Sequence, residues 1–411
     1  MRYSIIAIGN ELLLGQVTDT NSAAIARILD PLGWEHLRTV TVPDSAAQIA
    51  DAIASTTADC DMVITTGGLG PTKDDITKTV IASPCKCPMR TDATALANAK
   101  RVFDARGLEF NQSTASQAVV PAASAIIQNR YGTAPIMWTP VGGAIVVSLP
   151  GVPFEAVGMM RTDVKDAILA HFSPDRRLLH HTLMVSGIAE SALSELLDEF
   201  EAALPASMSL AYLLQPGVLR LRLDADLPAE APEDDFNRCL FSLKEAVADY
   251  LIYDGDAPIA QIVLERLRSK GLIMATAESC TGGNIAHQIT LIPGSSECFA
   301  GGVVSYANEA KTALLGVDAN VLAANGAVSR PVVEAMARGA AKACRAHCAV
   351  ATSGIAGPGG ATEGKPVGTV WIAAKGPDGN VESRLLHLPG DRARVIDRAT
   401  TEALLLLLSL I

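Results

Sequence analysis

Apolar strands that run into glycine-rich loops are the feature that most limits how this chain can fold. Near the N-terminus the predicted strands are residues 3–9, 36–42 and 62–66, and they alternate with amphipathic helices. This β–α–β–α–β order is typical of a parallel sheet with helices on both faces. Ligands bind such sheets at the carboxyl ends of the strands, which here carry Gly9-Asn10-Glu11 and Gly67-Gly68-Leu69-Gly70.

The same alternation returns in the last third of the chain, with a different pattern in between. Strands are predicted at 272–276, 302–305, 348–352, 369–374 and 382–388, and a hairpin is predicted around Gln215-Pro216-Gly217 in the middle. We therefore predict the α/β fold class, with two three-layer α/β domains joined by a small α+β module. The expected domains are 1–165, 166–255 and 256–411, with a linker at 253–258.

Composition and charge exclude some classes of function. Of the 411 residues 49% are hydrophobic and 19% are charged, enough for packed cores, and the net charge of −11 disfavours direct binding to nucleic acid. The leucine-rich segment 404–408 is shorter than the ~20 residues that span a bilayer, and the first residues lack the pattern of a signal peptide. We expect a soluble, cytoplasmic protein with no membrane partner, whose eight cysteines are mostly reduced and buried.

The loop after the strand 62–66 is a predicted phosphate site. Backbone amides of Gly67, Gly68 and Gly70, together with Thr72 and Lys73, can approach phosphate oxygens at the start of a helix predicted from about Thr72. The GxxxxGK[ST] spacing of a Walker A loop is absent. Hard oxygen ligands follow at Asp74 and Asp75, and Glu11 is expected beside them, so this set is a predicted site for a divalent cation. The alternative is a glycine turn whose aspartates stabilise a helix N-terminus.

The C-terminal domain carries candidates for nucleophilic catalysis. Ser279 lies at a strand-to-helix turn, where a hydroxyl is exposed beside helix amides. Lys311 is a candidate base if burial lowers its pKa, and Tyr306 adds a phenol. A further strand-then-glycine loop spans 352–360. The alternatives are that Ser279 caps its helix, Tyr306 is a half-buried core residue and Lys311 is solvated.

Cys280 is a rival nucleophile because thiols are intrinsically more reactive than hydroxyls. No histidine lies next to it in sequence, and His287 follows two helical turns later. We favour Ser279.

Taken together, these motifs resemble the CinA family of competence/damage-inducible proteins. The resemblance covers essentially the whole chain. It rests on Gly9-Asn10-Glu11-Leu12-Leu13, Asp19-Thr20-Asn21 and segment 66–77 in the N-terminal domain, and on segments 278–283, 306–311, 326–329 and 354–360 in the C-terminal domain. It implies a molybdopterin-binding-type domain with metal-dependent ADP-ribose pyrophosphatase activity, a KH-like middle module and a nicotinamide-nucleotide amidase domain.

The resemblance also implies roles for individual residues. A Ser–Tyr–Lys arrangement falls on Ser279, Tyr306 and Lys311, with Thr281 as a helper and backbone amides of 281–283 holding the oxyanion. The implied substrate-binding residues are Gly282, Gly283, Ser296, Ser353, Gly354, Gly357, Gly359 and Arg392. This chain departs from the family pattern at Ile396, where a second arginine is expected, and Arg394 or Arg398 could substitute for it.

The function implied is hydrolysis of nicotinamide mononucleotide to nicotinate mononucleotide and ammonia, without a cofactor. The N-terminal domain would cleave ADP-ribose with a divalent cation. Both partners are small nucleotides, and a homodimer is expected. A different class of function is a non-catalytic adaptor in competence or DNA damage, which binds a nucleotide or pterin and releases no ammonia.

Overall fold

The computed structural model describes residues 1–72, 74–215 and 217–411, and of Gln215 only the backbone. The described residues form two compact units. The first contains Met1–His180, Pro205–Ser209 and Asp224–Arg238, and the second contains His181–Leu204, Leu210–Leu223 and Cys239–Ile411. The predicted fold class is confirmed, because the chain is a mixed α/β protein with two α/β domains.

The N-terminal domain alternates strands with helices as its sequence predicts. In chain order its elements are β1 (Arg2–Ile8), α1 (Asn10–Leu13), α2 (Thr20–Leu29), β2 (Glu35–Val42), α3 (Ala46–Thr57), β3 (Met62–Thr66), α4 (Thr77–Ala82), β4 (Met89–Thr91), α5 (Ala93–Ala105), α6 (Gln112–Ser116), β5 (Val119–Pro121), β6 (Ala125–Ile127), β7 (Ile136–Val141), β8 (Ala144–Leu149), α7 (Pro153–Met159) and α8 (Lys165–His171).

The main sheet of this domain has the strand order β2–β1–β3–β8–β7–β6. Strand β3 is buried throughout, and four of its five residues are β-branched, which suits a central strand covered on both faces. Neighbouring residues of β1 pack into different cores, Ile5 into one and Ile6 into the other, so the sheet is the middle of three layers. The carboxyl ends of β1, β3 and β8 lie at the same edge of this sheet.

The parallel pairing predicted from the β–α–β–α–β order is confirmed for β1, β2 and β3, and the sheet also contains antiparallel strands at one side. Strands β2, β1, β3 and β8 run parallel, but β7 and β6 are antiparallel. Strands β7 and β8 are joined by Gly142-Gly143 alone, and Gly142 has a φ of 60°. A two-residue connection can only reverse the chain, so these strands must pair antiparallel.

The helix after β3 begins later than expected. It starts at Thr77 rather than near Thr72. Before it, the Asp75 carboxylate accepts hydrogen bonds from the amide and the hydroxyl of Thr72. Lys73, one of the predicted phosphate contacts, lies outside the described residues.

The middle of the chain contains β9 (Arg176–Val185), α9 (Glu190–Ala202), β10 (Met208–Gln215), β11 (Val218–Pro228), α10 (Asp234–Ala246) and β12 (Leu251–Asp254). The strands form a sheet in the order β10–β11–β9–β12. The predicted hairpin strands are present, although Pro216 between them lies outside the described residues.

The linker expected at 253–258 begins too early. Tyr253 and Asp254 belong to β12, which pairs antiparallel with β9. Ile252 and Tyr253 also pack against a hydrophobic core, which explains why this segment is a strand and not a solvated connection.

The C-terminal domain contains α11 (Ile259–Ser269), β13 (Met274–Glu278), α12 (Asn284–Thr290), β14 (Phe299–Val304), α13 (Asn308–Leu315), α14 (Ala319–Asn325), α15 (Arg330–Ala343), β15 (Cys348–Gly354), β16 (Thr369–Lys375), β17 (Val381–His387) and α16 (Arg392–Leu408).

Its sheet has the order β14–β13–β15–β16–β17. Strands β14, β13 and β15 are parallel, and β16 and β17 are antiparallel to their neighbours. Met274 packs in the core under α11 and α16, whereas Ala275 packs in the core under α15, so this sheet too is the middle of three layers. The leucines at 404–408 are buried, as predicted. Within the described part of the chain, no helix is long and apolar enough to cross a membrane.

Candidate active site

Three parallel strands bring their carboxyl ends together in the C-terminal domain. Glu278, the last residue of β13, is in register with Val304 on β14 and Thr352 on β15. The residues that follow these strands therefore lie at one edge of the sheet. They are Ser279 and Ser305. Ser353, the penultimate residue of β15, lies at the same edge.

Ser279 and Lys311 are in direct contact at this edge. The Lys311 Nζ lies 3.1 Å from the Ser279 Oγ. It also lies 2.7 Å from the carbonyl oxygen of Ser305 and 3.5 Å from that of Tyr306. The structure thus brings together the predicted nucleophile and the predicted base, which are 32 residues apart in sequence.

The Lys311 side chain is not solvated. It is 1% exposed, and α13 carries it inward beneath the strand ends. Burial lowers the pKa of Lys311 below its usual 10.5, although Cys280 and Glu309 oppose part of that shift. A lysine with a lowered pKa is neutral more often at moderate pH, and only the neutral amine can accept a proton.

Cys280 also faces the site, but its thiol is held protonated. It is 6% exposed, and burial raises its pKa to about 11. A thiol reacts as its thiolate, which is scarce at neutral pH under these conditions. The geometry and the charge state both favour Ser279 as the nucleophile.

Tyr306 lies at the mouth of the site and is 61% exposed. Its hydroxyl accepts a hydrogen bond from the Arg392 guanidinium at 2.9 Å, and Arg392 also donates to the carbonyl of Gly357 at 2.8 Å. The contact that Tyr306 makes with Lys311 is through its backbone carbonyl. The structure therefore places the phenol with the predicted substrate contact Arg392.

A cavity of about 270 Å³ opens above the Ser279–Lys311 pair. Its walls include the predicted residues Ser279, Tyr306, Lys311, Ser353, Gly354, Gly357, Gly359 and Arg392. Ser353 is oriented by a hydrogen bond of 2.8 Å to the carbonyl of Ala327, which also lines the cavity.

Two amides expected to hold an oxyanion are already engaged. Gly282 N–H donates to the carbonyl of Ser279 at 3.1 Å, and Gly283 N–H donates to the Glu278 carboxylate at 3.0 Å. Thr281 is buried, and its hydroxyl contacts Glu278 and Thr352. These residues build the turn that carries Ser279, and they do not line the cavity.

Ser296 is the implied substrate contact that the structure places elsewhere. It is exposed on a short 3₁₀ turn, Ser295–Glu297, and is not part of the cavity wall.

Sequence reasoning missed several residues of this site. Asn308, Ala327 and Val328 line the cavity, and Glu278 holds the nucleophile turn from within. Segment 326–329 belongs to the family motifs, but nothing in its composition shows that it would fold against Ser353.

Ile396, which stands where a second arginine is expected, makes apolar contacts. Ile396 packs partly buried against the hydrophobic core of α16. Of the two possible substitutes, the exposed Arg394 packs along Gly390, and the Nε of Arg398 is buried without a hydrogen-bond partner. Neither lies in the cavity wall, where the arginine present is Arg392.

The N-terminal domain brings together three loops, at the ends of β1, β3 and β8. Gly67 is so close to β1 that a Cβ there would lie 2.3 Å from the carbonyl oxygen of Ile8, and Gly151 lies next to Gly67, where a Cβ would meet the Gly67 Cα at an ordinary contact distance of 3.5 Å. Asn21 ties this edge together by donating to Thr66 Oγ1 at 2.9 Å and to the carbonyl of Gly151 at 2.8 Å.

The rest of the predicted phosphate loop is partly committed to its own turn. Gly68 has a φ of 68°, and a Cβ there would meet the Thr77 hydroxyl at 2.0 Å. Gly70 packs against the Asp75 carboxylate. That carboxylate accepts the amide of Thr72 at 2.9 Å and its hydroxyl at 2.6 Å. Asp75 thus acts here as a hydrogen-bond acceptor for Thr72.

The three predicted metal ligands do not form a protein-only site. Among the residues that the structure describes, no group of three histidine, cysteine or acidic side chains is arranged to hold a metal ion. Glu11 and Asp74 are exposed, and Asp75 faces Thr72. This donor set fits a cation shared between one or two carboxylates and a substrate's phosphates, and it does not fit a resident ion held by the protein alone.

Fold and site together define a class: a two-domain α/β protein with a serine–lysine pair under a glycine-lined cavity in its C-terminal domain. Residues 256–411 match the family described as "CinA C-terminal domain", and residues 4–170 match the one described as "Probable molybdopterin binding domain". The chain belongs to the CinA family of competence/damage-inducible proteins.

Its similarity to relatives extends along nearly the whole chain. It is 41% identical to a CinA-like protein of Cytophaga hutchinsonii over 90% of this chain and 88% of the relative. It is 40% identical to a CinA-like protein of Gemmatimonas aurantiaca over 98% and 95%. The solved structure of competence/damage inducible protein CihA from Agrobacterium tumefaciens is 42% identical, with 37% of this chain and 93% of that chain covered and a TM-score of 0.36.

Proposed function

We propose that the C-terminal domain is an amidase that hydrolyses nicotinamide mononucleotide to nicotinate mononucleotide and ammonia. The observation that carries this proposal is the 3.1 Å contact between the Lys311 amine and the Ser279 hydroxyl at the floor of the cavity. This pair supports the proposed reaction type, and the family resemblance supports the proposed substrate.

The surroundings of Lys311 suit a base. A neutral amine keeps two N–H groups and one lone pair. The two N–H groups match the carbonyls of Ser305 and Tyr306, which leaves the lone pair for the Ser279 hydroxyl. In this state Lys311 removes the hydroxyl proton as Ser279 Oγ attacks the carboxamide carbon.

The remaining steps return both groups to their starting state. Lys311 gives its proton to the departing nitrogen, the C–N bond breaks, and ammonia leaves an ester on Ser279. Water, deprotonated by Lys311, then attacks the ester carbon. As the bond from that carbon to Ser279 Oγ breaks, Lys311 returns the proton to Oγ and the acid leaves. The amides of Gly282 and Gly283 are engaged in the turn. The oxyanion donors are therefore other cavity-lining amides, and the amide of Cys280, which directly follows the nucleophile, is the first candidate.

The test measures ammonia release from nicotinamide mononucleotide. Ser279→Ala should abolish it, and Cys280→Ala, the matched change at the next cavity-lining residue, should leave most of it. The reverse pattern would transfer the nucleophile to Cys280. No ammonia from the wild type would instead favour the non-catalytic adaptor.

A second proposal concerns the N-terminal loops, which we infer bind and cleave the diphosphate of ADP-ribose. The supporting observation is the close approach of the Gly67 and Gly151 loops at the strand ends, which leaves backbone free of side chains there. A divalent cation arriving with the phosphates would neutralise charge on the leaving group, and Glu11 and Asp74 are the exposed carboxylates available to hold it.

This proposal is tested by measuring AMP release from ADP-ribose with and without chelator. Chelator should stop this cleavage and spare ammonia release. Asp74→Asn should lower cleavage by orders of magnitude, whereas Asp104→Asn, at an exposed position on α5, should not. Full cleavage in excess chelator would refute the role of a cation.

A further inference from the structure

Glu278 is a fully buried acid at the centre of the candidate site. It is the last residue of β13, directly before Ser279, and it is 0% exposed. Buried acids are rare in proteins unless their oxygens are satisfied. Within the described residues, no lysine or arginine forms an ion pair with it.

Four donors satisfy the Glu278 carboxylate instead. They are the Thr281 hydroxyl at 2.8 Å and the backbone amides of Gly283, Ile285 and Ala286 at 3.0, 3.0 and 2.9 Å. All four are donors, which is the hydrogen-bond pattern of a carboxylate. Glu278 therefore ties the whole segment from Thr281 to the first turn of α12 back onto the end of its own strand.

The segment so fixed is the one that presents Ser279. The turn is held on its other side by β15, because Ser279 N–H donates to the carbonyl of Thr352 at 3.0 Å and the hydroxyls of Thr281 and Thr352 lie 2.7 Å apart. With these contacts the position of the Ser279 backbone is defined from both sides.

The backbone of Glu278 connects to the other half of the pair. Its carbonyl accepts the amide of Ser305 at 2.8 Å, and the carbonyl of Ser305 accepts the Lys311 amine at 2.7 Å. Glu278 thus supports the nucleophile turn through its carboxylate, and its backbone carbonyl holds Ser305, whose own carbonyl binds Lys311.

We propose that Glu278 is a positioning residue for the Ser279–Lys311 pair, whose carboxylate fixes the turn that holds the Ser279 hydroxyl against the lysine. The proposal rests on the amidase function proposed above. It adds a second expectation: the helix amides near the nucleophile serve to fix the turn, and the substrate is not bound by them.

The test compares Glu278→Gln with a matched control on the same strand. Glutamine keeps the size but has one oxygen and an N–H₂ group, so it cannot accept from all four donors. Thr276→Val is the control, because Thr276 is also 0% exposed on β13 and its hydroxyl has no hydrogen-bond partner within the described residues.

Two readouts separate positioning from folding. The first is the rate at which a fluorophosphonate probe labels Ser279, followed by intact mass. The second is the division of the activity change between kcat and KM. We expect Glu278→Gln to lower labelling and kcat together by about 100-fold, with KM little changed, because a displacement near 1 Å costs about that much. Circular dichroism should show the same folded fraction in all variants, and Thr276→Val should match the wild type.

If Glu278→Gln does not fold, the variant Thr281→Val tests the same proposal. It removes one of the four donors and leaves the three amides in place. We expect a smaller loss of labelling, and no additional loss when it is combined with Glu278→Gln in a folded double variant. Wild-type labelling of Thr281→Val would overturn the proposal, as would wild-type labelling of Glu278→Gln.

The labelling readout does not depend on the substrate. A wild type that is labelled at Ser279 but releases no ammonia would refute the proposed substrate and leave the positioning role to be decided by the variants. A folded wild type that resists labelling would refute the nucleophile itself, and with it both proposals. A loss of kcat that only follows a loss of folded protein would refute the positioning role alone.

Discussion

At the scale of single residues, the charge of Lys311 decides what the site can do. Because burial lowers its pKa below 10.5, the neutral base becomes available at a lower pH than for a solvated lysine. We predict that kcat/KM for amide hydrolysis rises with pH and levels off above the lowered pKa of Lys311. A pH–rate profile of the wild type measures this directly.

Lys311→Arg should abolish hydrolysis at every accessible pH, because a guanidinium stays protonated and cannot accept the Ser279 proton. Lys342→Arg, on α15 and away from the cavity wall, serves as the control for the same substitution. A profile that falls as pH rises, or an active Lys311→Arg variant, would contradict the assignment of the base.

The sequence could predict the two reacting side chains but not their supports. Ser279 and Lys311 follow parallel strands, and that pattern is visible in local periodicity. The bond from Arg392 to the Tyr306 hydroxyl joins residues 86 positions apart, and no local pattern encodes it. Glu278 lies two residues beyond the predicted strand 272–276, and no local pattern shows that the amides of the following turn fold back onto its carboxylate.

At the scale of elements, a partly buried histidine holds the start of β9. His180 lies 2.7 Å from Asp30 and 2.6 Å from Asp224, and hydrogen bonds to these carboxylates raise its pKa to about 9. Relative to an unfolded value near 6.5, this shift corresponds to at most about 3 kcal/mol of stability.

The sign of this contribution follows from the raised pKa. It is fully present below pH 6.5, where both folded and unfolded states hold the proton, and it is lost as pH rises from 6.5 through about 9. We predict that His180→Gln lowers the free energy of unfolding at pH 6 and has little effect at pH 10. Urea denaturation at the two pH values measures the difference.

His387→Gln, at an exposed position on β17, is the matched control and should change stability little at either pH. Equal losses for His180→Gln at both pH values would show that packing, and not the charged pairs, accounts for the role of this residue.

Elements with strong periodicity were predictable, and short ones were not. Strand β3 has the predicted bounds because its apolar, β-branched run is buried on both faces. Strand β7 contains Pro140 and pairs with β8 through a glycine turn, so its strand signal is weak and its direction depends on the tertiary fold. Strand β12 is recognisable only through its pairing with β9.

At the scale of the whole molecule, the C-terminal domain holds every residue of the candidate amidase site. The cavity residues from Ser279 to Arg392 all lie within 256–411. We predict that a fragment beginning at Asp256 folds and releases ammonia with nearly the kcat of the full chain. Activity per folded molecule, with folding followed by circular dichroism, is the measurement.

The fragment should nevertheless be less stable. Met184 and Val218 pack in the same hydrophobic core as Ile259 and Val263, and the fragment lacks the first two. A longer fragment beginning at Arg176 restores them and should regain part of the lost Tm. A folded but inactive short fragment would show that the site borrows residues from outside 256–411.

The protonated thiol of Cys280, beside Ser279, affects how the site responds to oxidants. Peroxide attacks thiolates, and with a pKa of about 11 and 6% exposure Cys280 offers almost none. Because peroxide does not oxidise a serine hydroxyl and reaches little Cys280 thiolate, we expect the proposed site to resist oxidation. If the proposed amidase operates in cells under oxidative stress, its turnover should therefore persist at peroxide levels that silence enzymes with a catalytic cysteine.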